Sequence, residues 1–153
     1  MCLKLKTQVD ETSPNIYKDR FDIEGGNFNA AGTVSTSIKS ILKKLNIPGE
    51  VVRRAAIVSY EAEINVVSYA KKATVTLTVA PGKVHIEVDD TGPGIPNIEL
   101  AMQEGYSTAD QRIREMGFGA GMGLSNIKNY SDEFHIESEV GKGTRLKMTI
   151  QTS

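Results

Sequence analysis

A carboxylate and a carboxamide stand one helical turn apart in the segment Glu61-Ala62-Glu63-Ile64-Asn65. Residues four apart share one face of a helix, so Glu61 and Asn65 stack, whereas Glu63 lies far around the helix. An amide oxygen suits a hard cation such as Mg²⁺, and a nearby carboxylate suits a general base or a group that positions water. An intrahelical polar pair on an exposed stripe is the alternative, and these residues alone leave both open.

A second candidate carboxylate, Asp90, ends a segment in which apolar and polar residues alternate from position 84. The period of two places Asp90 on the apolar side of this strand, where an acid needs a hydrogen-bonding partner. Gly92 and Gly94 follow, and glycines let a ligand or a neighbouring backbone come close. The alternative is that Asp90 simply caps the Gly-Pro-Gly turn.

A glycine-rich segment stands at 117–124, directly before a predicted helix. Its glycines alternate with other residues: Gly117, Gly119, Gly121 and Gly123. Consecutive exposed amides followed by a helix N-terminus form a plausible phosphate cradle, and a flexible loop is the alternative. The run does not end in Gly-Lys-Ser/Thr and does not follow a strand directly, which excludes a Walker A loop and a Rossmann turn.

Composition narrows the class of protein. The chain has 153 residues, with 18 Lys+Arg against 19 Asp+Glu, so its formal charge is -1. No global field points to nucleic acid or to anionic lipid, and neither is expected as a partner. The single Cys2 fits a reducing cytoplasm, and the N-terminus lacks the apolar core of a signal peptide. We therefore expect a soluble cytoplasmic protein without a membrane span.

Hydrophobic periodicity predicts the elements that position these residues. Residues 1–15 are polar and without periodicity, and they are expected to form a flexible arm outside the fold. The remaining residues carry the patterns of a strand, two helices, a hairpin, a further helix and a second hairpin: Ile16 to Ile23, Thr33 to Leu45, Gly49 to Tyr69, Thr74 to Val88, a helix from near Gly123, and Phe134 to Ile150.

The strands have one apolar and one polar face, so a single layer of helices is expected to cover one side of the sheet. The predicted fold is α+β: a two-layer α/β sandwich with a mixed, mostly antiparallel sheet. Residues 16–152 are expected to form one domain.

Taken together, these motifs resemble the GHKL ATPase and kinase superfamily, whose Bergerat ATP-binding fold is shared by DNA gyrase, MutL and histidine kinases. The order is Glu-x-x-x-Asn on a helix, Asp-x-Gly-x-Gly after a strand, Gly-x-Gly-x-Gly before a helix, and Gly-Lys-Gly-Thr in a late hairpin. The small size and the segment Gly105-Tyr106-Ser107-Thr108 are similar to anti-sigma-factor serine kinases, and Asp132-Glu133-Phe134 is similar to the stress-switch kinases.

The resemblance implies an ATP or ADP site that also uses Mg²⁺. Glu61 matches the catalytic glutamate, Asn65 would bind Mg²⁺, and Asp90 would accept the adenine amino group. Gly92, Gly94 and Thr144 would lie beside the base. The remaining residues implied to contact the phosphates or to form the lid at 106–118 are Gly119, Gly121, Gly123, Leu124, Ser107, Thr108, Arg112 and Arg114. For both arginines, a solvated lid helix is the alternative.

The function implied is Mg-ATP-dependent phosphoryl transfer to a Ser or Thr of a partner protein, with Glu61 activating the hydroxyl. The partner would be an antagonist-type substrate, a sigma factor, or both. One alternative is a nucleotide-gated protein that sequesters a sigma factor or another regulator without significant kinase activity. Another is a stand-alone histidine-kinase-like ATPase domain. A homodimer is compatible with the resemblance, through the helix at Thr33 to Leu45 or the strand at Ile16 to Ile23.

Overall fold

The computed structural model describes residues 8–9, 15–104 and 123–152. The described residues form six strands, four α-helices and a short 3-10 helix at Phe28–Ala30. In chain order the elements are β1 (Gln8–Val9), β2 (Tyr17–Glu24), α1 (Thr33–Lys44), α2 (Gly49–Tyr69), β3 (Lys72–Ala80), β4 (Lys83–Thr91), α3 (Ile98–Ala101), α4 (Gly123–Tyr130), β5 (Glu133–Glu139) and β6 (Gly143–Gln151).

The strands form one sheet in the order β1-β2-β3-β4-β6-β5. All five described pairings are antiparallel, whereas the sequence analysis expected a mixed sheet. The two hairpins β3–β4 and β5–β6 lie next to each other because β4 pairs with β6, with Val88 opposite Leu146. The predicted fold class is confirmed, and the sheet is more regular than expected.

The core lies between one face of the sheet and the helices. Along β3 and β4 every second residue is buried, from Ala73 to Val79 and from Val84 to Val88. The long helix α2 covers this face and buries ten of its 21 residues, and α1 and α4 pack against it. Helix α2 begins directly after Pro48 and ends at Tyr69, as predicted from the sequence, and its widely spread apolar positions fit its central place in the domain.

The start of α1 is held by Glu63, a residue that the sequence analysis placed away from the Glu61 face. Glu63 is only 2% exposed, and its two carboxylate oxygens accept the backbone amides of Val34 and Ser35 at 3.1 and 3.0 Å. The N-cap residue Gly32 has no side chain to do this. Glu63 therefore replaces a local cap and ties α1 to α2.

The N-terminal residues differ from the expectation in one respect. Gln8 and Val9 pair with Lys18 and Tyr17 of β2, so this part of the predicted arm is joined to the sheet. An edge strand offers unpaired backbone groups to any extended segment, whatever its side-chain pattern, and this pairing explains the difference. None of the described helices is both long and apolar enough to cross a bilayer.

Candidate functional site

Asp90 lies near the end of β4 on the core-facing side, in line with Val88. Its Oδ1 accepts the backbone amide of Thr144 from β6 over 3.0 Å. Burial raises the pKa of this half-buried carboxyl, the hydrogen bond from Thr144 opposes that rise, and the charge of Asp89 adds to it. Asp89 points to the other face and pairs with Arg145 at 3.0 Å, so the two adjacent acids have separate environments.

Two glycines approach Asp90 closely, and one of them leaves no room for a β-carbon. A β-carbon at position 143 would overlap the Asp90 carbonyl oxygen and lie 3.1 Å from its Oδ1. A β-carbon at position 92 would lie 3.3 Å from Asp90 Oδ1 and 3.1 Å from the Cα of Ala70, the C-cap residue directly after α2. The carboxylate therefore lies where β4, β6 and the C-terminal end of α2 meet.

The loop after β4 is fastened to the β5–β6 turn through backbone bonds. The Gly92 amide donates to the Lys142 carbonyl at 3.1 Å, and the Gly141 amide donates to the Pro93 carbonyl at 2.8 Å. Gly94 has a φ of +76°, and a β-carbon there would overlap the carbonyl oxygen of Glu139. Gly94 is thus required both by its backbone conformation and by the close approach of the turn.

Ser138 supports the same loop and was missed by the sequence analysis. Its hydroxyl accepts the Ile95 amide at 2.7 Å and lies 2.8 Å from the hydroxyl oxygen of Thr144. Thr144 thus contributes its amide to Asp90 and its hydroxyl to Ser138. Ser138 follows the alternation of β5 like any strand serine, so nothing in the local pattern indicates this contact.

Asn65 lies against the first residue of α4. A β-carbon at Gly123 would be 3.0 Å from Asn65 Oδ1 and 3.3 Å from its Nδ2. The first-turn amides of a helix lack carbonyl partners within the helix and form its positive end. The amide oxygen of Asn65 therefore lies beside a helix terminus of the kind that suits anions.

Glu61 lies one turn earlier on α2, and its partner is also on α4. Asn126 Nδ2 donates to Glu61 Oε2 across 3.2 Å, and both side chains are half-buried. The alternative of an intrahelical Glu61–Asn65 pair on an exposed stripe does not describe this arrangement, because both residues face α4. Sequence reasoning missed Asn126, since its partner is 65 residues away.

The far end of α4 is fixed to α2 by Arg54. Its Nε donates to the Tyr130 carbonyl at 3.1 Å, and its Nη2 lies 3.4 Å from Asp132 Oδ1. Asp132 Oδ2 also accepts the Gln151 amide at 2.7 Å. These bonds hold α4 along the α2 face that carries Glu61.

The remaining predicted site residues divide into two groups. Leu124 is half-buried and packs against the hydrophobic core. The others lie outside the described residues: Gly119, Gly121, Ser107, Thr108, Arg112 and Arg114.

Both histidines belong to strands whose polar residues face away from the helices. His85 Nδ1 lies 2.9 Å from the Thr149 hydroxyl, and burial lowers its pKa. His135 is exposed and lies opposite Lys147 in the β5–β6 register. The period of two places both on the sheet face opposite to Asp90.

Comparison with known proteins identifies the family. Residues 51–153 match the family of histidine kinase-, DNA gyrase B- and HSP90-like ATPases. The anti-sigma F factor of Thermoanaerobacter sp. (strain X514) is 33% identical over 119 residues, which are 78% of this chain and 76% of that protein. The serine/threonine-protein kinase RsbT of Bacillus subtilis (strain 168) is 33% identical over 87 residues, 54% of this chain and 59% of that protein.

A solved structure agrees with the fold. The crystal structure of the SiaB–SiaC complex from Pseudomonas aeruginosa contains a chain with a TM-score of 0.60 and 15% identity, covering 86% of this chain and 88% of that one. At this identity the match concerns the fold alone. The chain therefore belongs to the family of histidine kinase-, DNA gyrase B- and HSP90-like ATPases, and it is similar within that family to anti-sigma factors and their kinase relatives.

Proposed function

We propose that this protein is an ATP-dependent regulatory serine/threonine kinase of the anti-sigma type. Its substrate would be a Ser or Thr hydroxyl on an antagonist-type partner protein. Residues 16–152 would act as one domain in the cytoplasm, the compartment that the single Cys2 favours. Nucleotide binding is the general property of the ATPase family to which the chain belongs.

The observation that carries the proposal is the order of groups along α2. Glu61, Asn65 and Ala70 succeed one another over about 13 Å of helix at 1.5 Å per residue. Asp90 lies beside Ala70 through Gly92, and the N-terminus of α4 lies beside Asn65. From Glu61 towards Ala70, the helix thus presents a carboxylate for the acceptor hydroxyl, then a helix end for the phosphates, then a hydrogen-bond acceptor for the base.

At the base end, the ionised Asp90 would accept a hydrogen from the adenine amino group. Thr144 occupies Oδ1 of this carboxylate, so Oδ2 is the oxygen left for the base. Gly92 and Gly94 would let the purine lie close to the backbone, and the Thr144 hydroxyl would add a contact directly or through water.

At the phosphate end, the amides of Gly123 and Leu124 would bind phosphate oxygens together with Gly119 and Gly121. Asn65 would hold Mg²⁺ through its amide oxygen, a ligand type that this cation prefers, beside the helix end where the phosphates would bind. The bound cation would neutralise part of the negative charge on the phosphates. The lid residues Ser107, Thr108, Arg112 and Arg114 would complete this part of the site.

In the transfer step, the oxygen of the partner's hydroxyl attacks the γ-phosphorus while its proton passes to the carboxylate of Glu61. The bond between the γ-phosphorus and the β,γ-bridging oxygen breaks, and ADP leaves with the electron pair. The products are a phosphoserine or phosphothreonine and ADP. In this type of reaction the protein acts mostly by positioning and by electrostatic stabilisation.

The comparisons support a protein partner. One relative is named as a serine/threonine kinase, another as an anti-sigma factor, and the matching solved chain is part of a two-protein complex. These names favour an antagonist-type substrate, a sigma factor, or both as partners. Self-association into a homodimer is compatible with the proposal.

A second candidate is nucleotide-gated sequestration of a sigma factor without significant kinase activity, and the anti-sigma name of the relatives favours it. A stand-alone histidine-kinase-like ATPase domain is less well supported, because His85 and His135 lie on the sheet face opposite to Asp90. The kinase and the sequestering protein differ in one measurable product, the phosphorylated partner.

The experiment incubates this protein with Mg-ATP and with the protein encoded beside this chain. Mass spectrometry then detects any phosphate on that neighbouring protein. The kinase proposal predicts phosphate on Ser or Thr with the wild type. Glu61→Gln should lose transfer by roughly a hundredfold or more while binding ATP normally. Glu137→Gln, an exposed glutamate of β5, is the matched control and should transfer normally. ATP-dependent binding of the neighbour with no phosphate on it would favour sequestration.

A further inference from the structure

Asn126 contacts Glu61 in a way that selects between the two carboxylate oxygens. Its Nδ2 donates to Oε2 across 3.2 Å. An ionised carboxylate only accepts hydrogen bonds, so the Asn126 amide must present its nitrogen and not its oxygen to Glu61. One oxygen is thereby held in place, and the other, Oε1, is left for another donor.

The donor is carried on a helix that is fixed along its length. Ile127 is fully buried, Gly123 lies against Asn65, and the Tyr130 carbonyl accepts from Arg54. A donor on such a packed helix holds its acceptor in one orientation more firmly than a loop residue would. The side-chain amide of Asn126 therefore meets Glu61 at a fixed position along the axis of α2.

We infer that Asn126 is a positioning residue for phosphoryl transfer, which orients the Glu61 carboxylate so that Oε1 faces the acceptor hydroxyl. This inference rests on the proposed function, in which Glu61 takes the proton of that hydroxyl. In this role Asn126 acts through Glu61 and needs no contact of its own with nucleotide or partner. A side chain that merely joins two helices would have the same hydrogen bond, so the test must separate the two roles.

The separating experiment is a double-mutant cycle on the full chain. The variants are Asn126→Ala, Glu61→Gln and the two combined, and the rates are those of Mg-ATP hydrolysis to inorganic phosphate and of transfer to the protein encoded beside this chain. Asn126→Ala should lower kcat about tenfold and leave KM for ATP within about twofold. In the Glu61→Gln background it should change the rate by less than about twofold, because no base remains to be oriented.

Two further variants serve as controls. Asn129→Ala removes an exposed amide from the same helix and should leave kcat and KM unchanged. Asn126→Asp keeps the size of the side chain but replaces the donor with an acceptor, so it should lower kcat at least as much as Asn126→Ala. Thermal unfolding midpoints of the variants close to that of the wild type show that the rates come from folded protein.

The outcomes distinguish the inference from the proposed function. An unchanged kcat in Asn126→Ala, with Glu61→Gln inactive, overturns the positioning role and leaves the proposed function intact. A tenfold loss that persists in the Glu61→Gln background also overturns it, because Asn126 then acts independently of Glu61. Full activity of Glu61→Gln overturns the proposed role of Glu61 and the positioning role with it.

Discussion

Asp90 of β4 and Thr144 of β6 are joined by a hydrogen bond in which the Thr144 amide donates to Asp90 Oδ1 over 3.0 Å. The two strands pair antiparallel, with Asp89 directly opposite Arg145. The bond fixes one oxygen of a half-buried carboxylate, and Oδ2 is left as the oxygen for a ligand. Asp90 therefore combines a fixed orientation with a pKa that burial raises.

Acidification should weaken nucleotide binding through Asp90. Burial raises the pKa of this carboxyl, so it takes up a proton at a higher pH than an ordinary aspartate, whose pKa is about 3.9. The protonated form is a poorer acceptor for the adenine amino group, so affinity falls as the pH falls through this raised pKa. Calorimetric titration with Mg-ATP at a series of falling pH values, from pH 7 down to the ordinary aspartate pKa, should show the wild type approaching Asp90→Asn in affinity. The phosphates of ATP titrate in the same way with both proteins, so the ratio of the two affinities reports on Asp90. A ratio that does not change with pH would contradict this assignment.

Gly123→Ala should impair binding of the phosphates. The new β-carbon would lie 3.0 Å from Asn65 Oδ1, closer than side chains normally approach, so Asn65 or α4 must move. We expect Mg-ATP affinity to fall about tenfold. Gly49→Ala is the matched control, because it also begins a helix but meets no atom within 4 Å. If both variants bind Mg-ATP as tightly as the wild type, the place where Asn65 meets Gly123 is not part of the nucleotide site.

Glu63→Ala should destabilise the fold and not the chemistry. The variant leaves the Val34 and Ser35 amides without their buried carboxylate acceptor, which should lower the free energy of unfolding by about 3 kcal/mol. Urea denaturation measures this change. Glu50→Ala removes an exposed carboxylate from the same helix, paired with Arg53, and should change the stability far less than Glu63→Ala. A similar small cost for both would disprove the capping role of Glu63.

Asp132 should stabilise the protein only above acidic pH. The bond from the Gln151 amide lowers the pKa of Asp132, and Arg54 contributes to the shift. Because folding lowers this pKa, the ionised carboxylate stabilises the folded state above the unfolded value near 3.9, and the gain is lost as the pH falls through the folded value. Urea unfolding at several pH values should show Asp132→Asn less stable at pH 7 by roughly 0.5–1 kcal/mol, with the difference vanishing in acid. A difference independent of pH would contradict this.

Local pattern predicted much of the fold. The bounds of α2 follow from its apolar positions, and the inward direction of Asp90 follows from the period of two in β4. Asn126, Ser138 and Glu63 were missed because their partners lie 65, 43 and 28 or 29 residues away in sequence. Such contacts are set by how α4, the β5–β6 hairpin and α1 pack, and no local spacing encodes them. Gly32 at the N-cap has no side chain to accept the first amides of α1, which is why this helix takes its acceptor from α2.

The most direct test of the nucleotide site is calorimetric titration of Mg-ATP into the wild type, Asp90→Asn and Asp89→Asn at pH 7. The two variants remove neighbouring charges on opposite faces of β4, and only Asp90 faces the proposed adenine position. We predict that the wild type binds Mg-ATP, that Asp90→Asn weakens binding by at least about tenfold, which is ~1.4 kcal/mol, and that Asp89→Asn stays within about twofold. Equal affinities of the wild type and Asp90→Asn, or no binding of Mg-ATP by the wild type, would contradict the account.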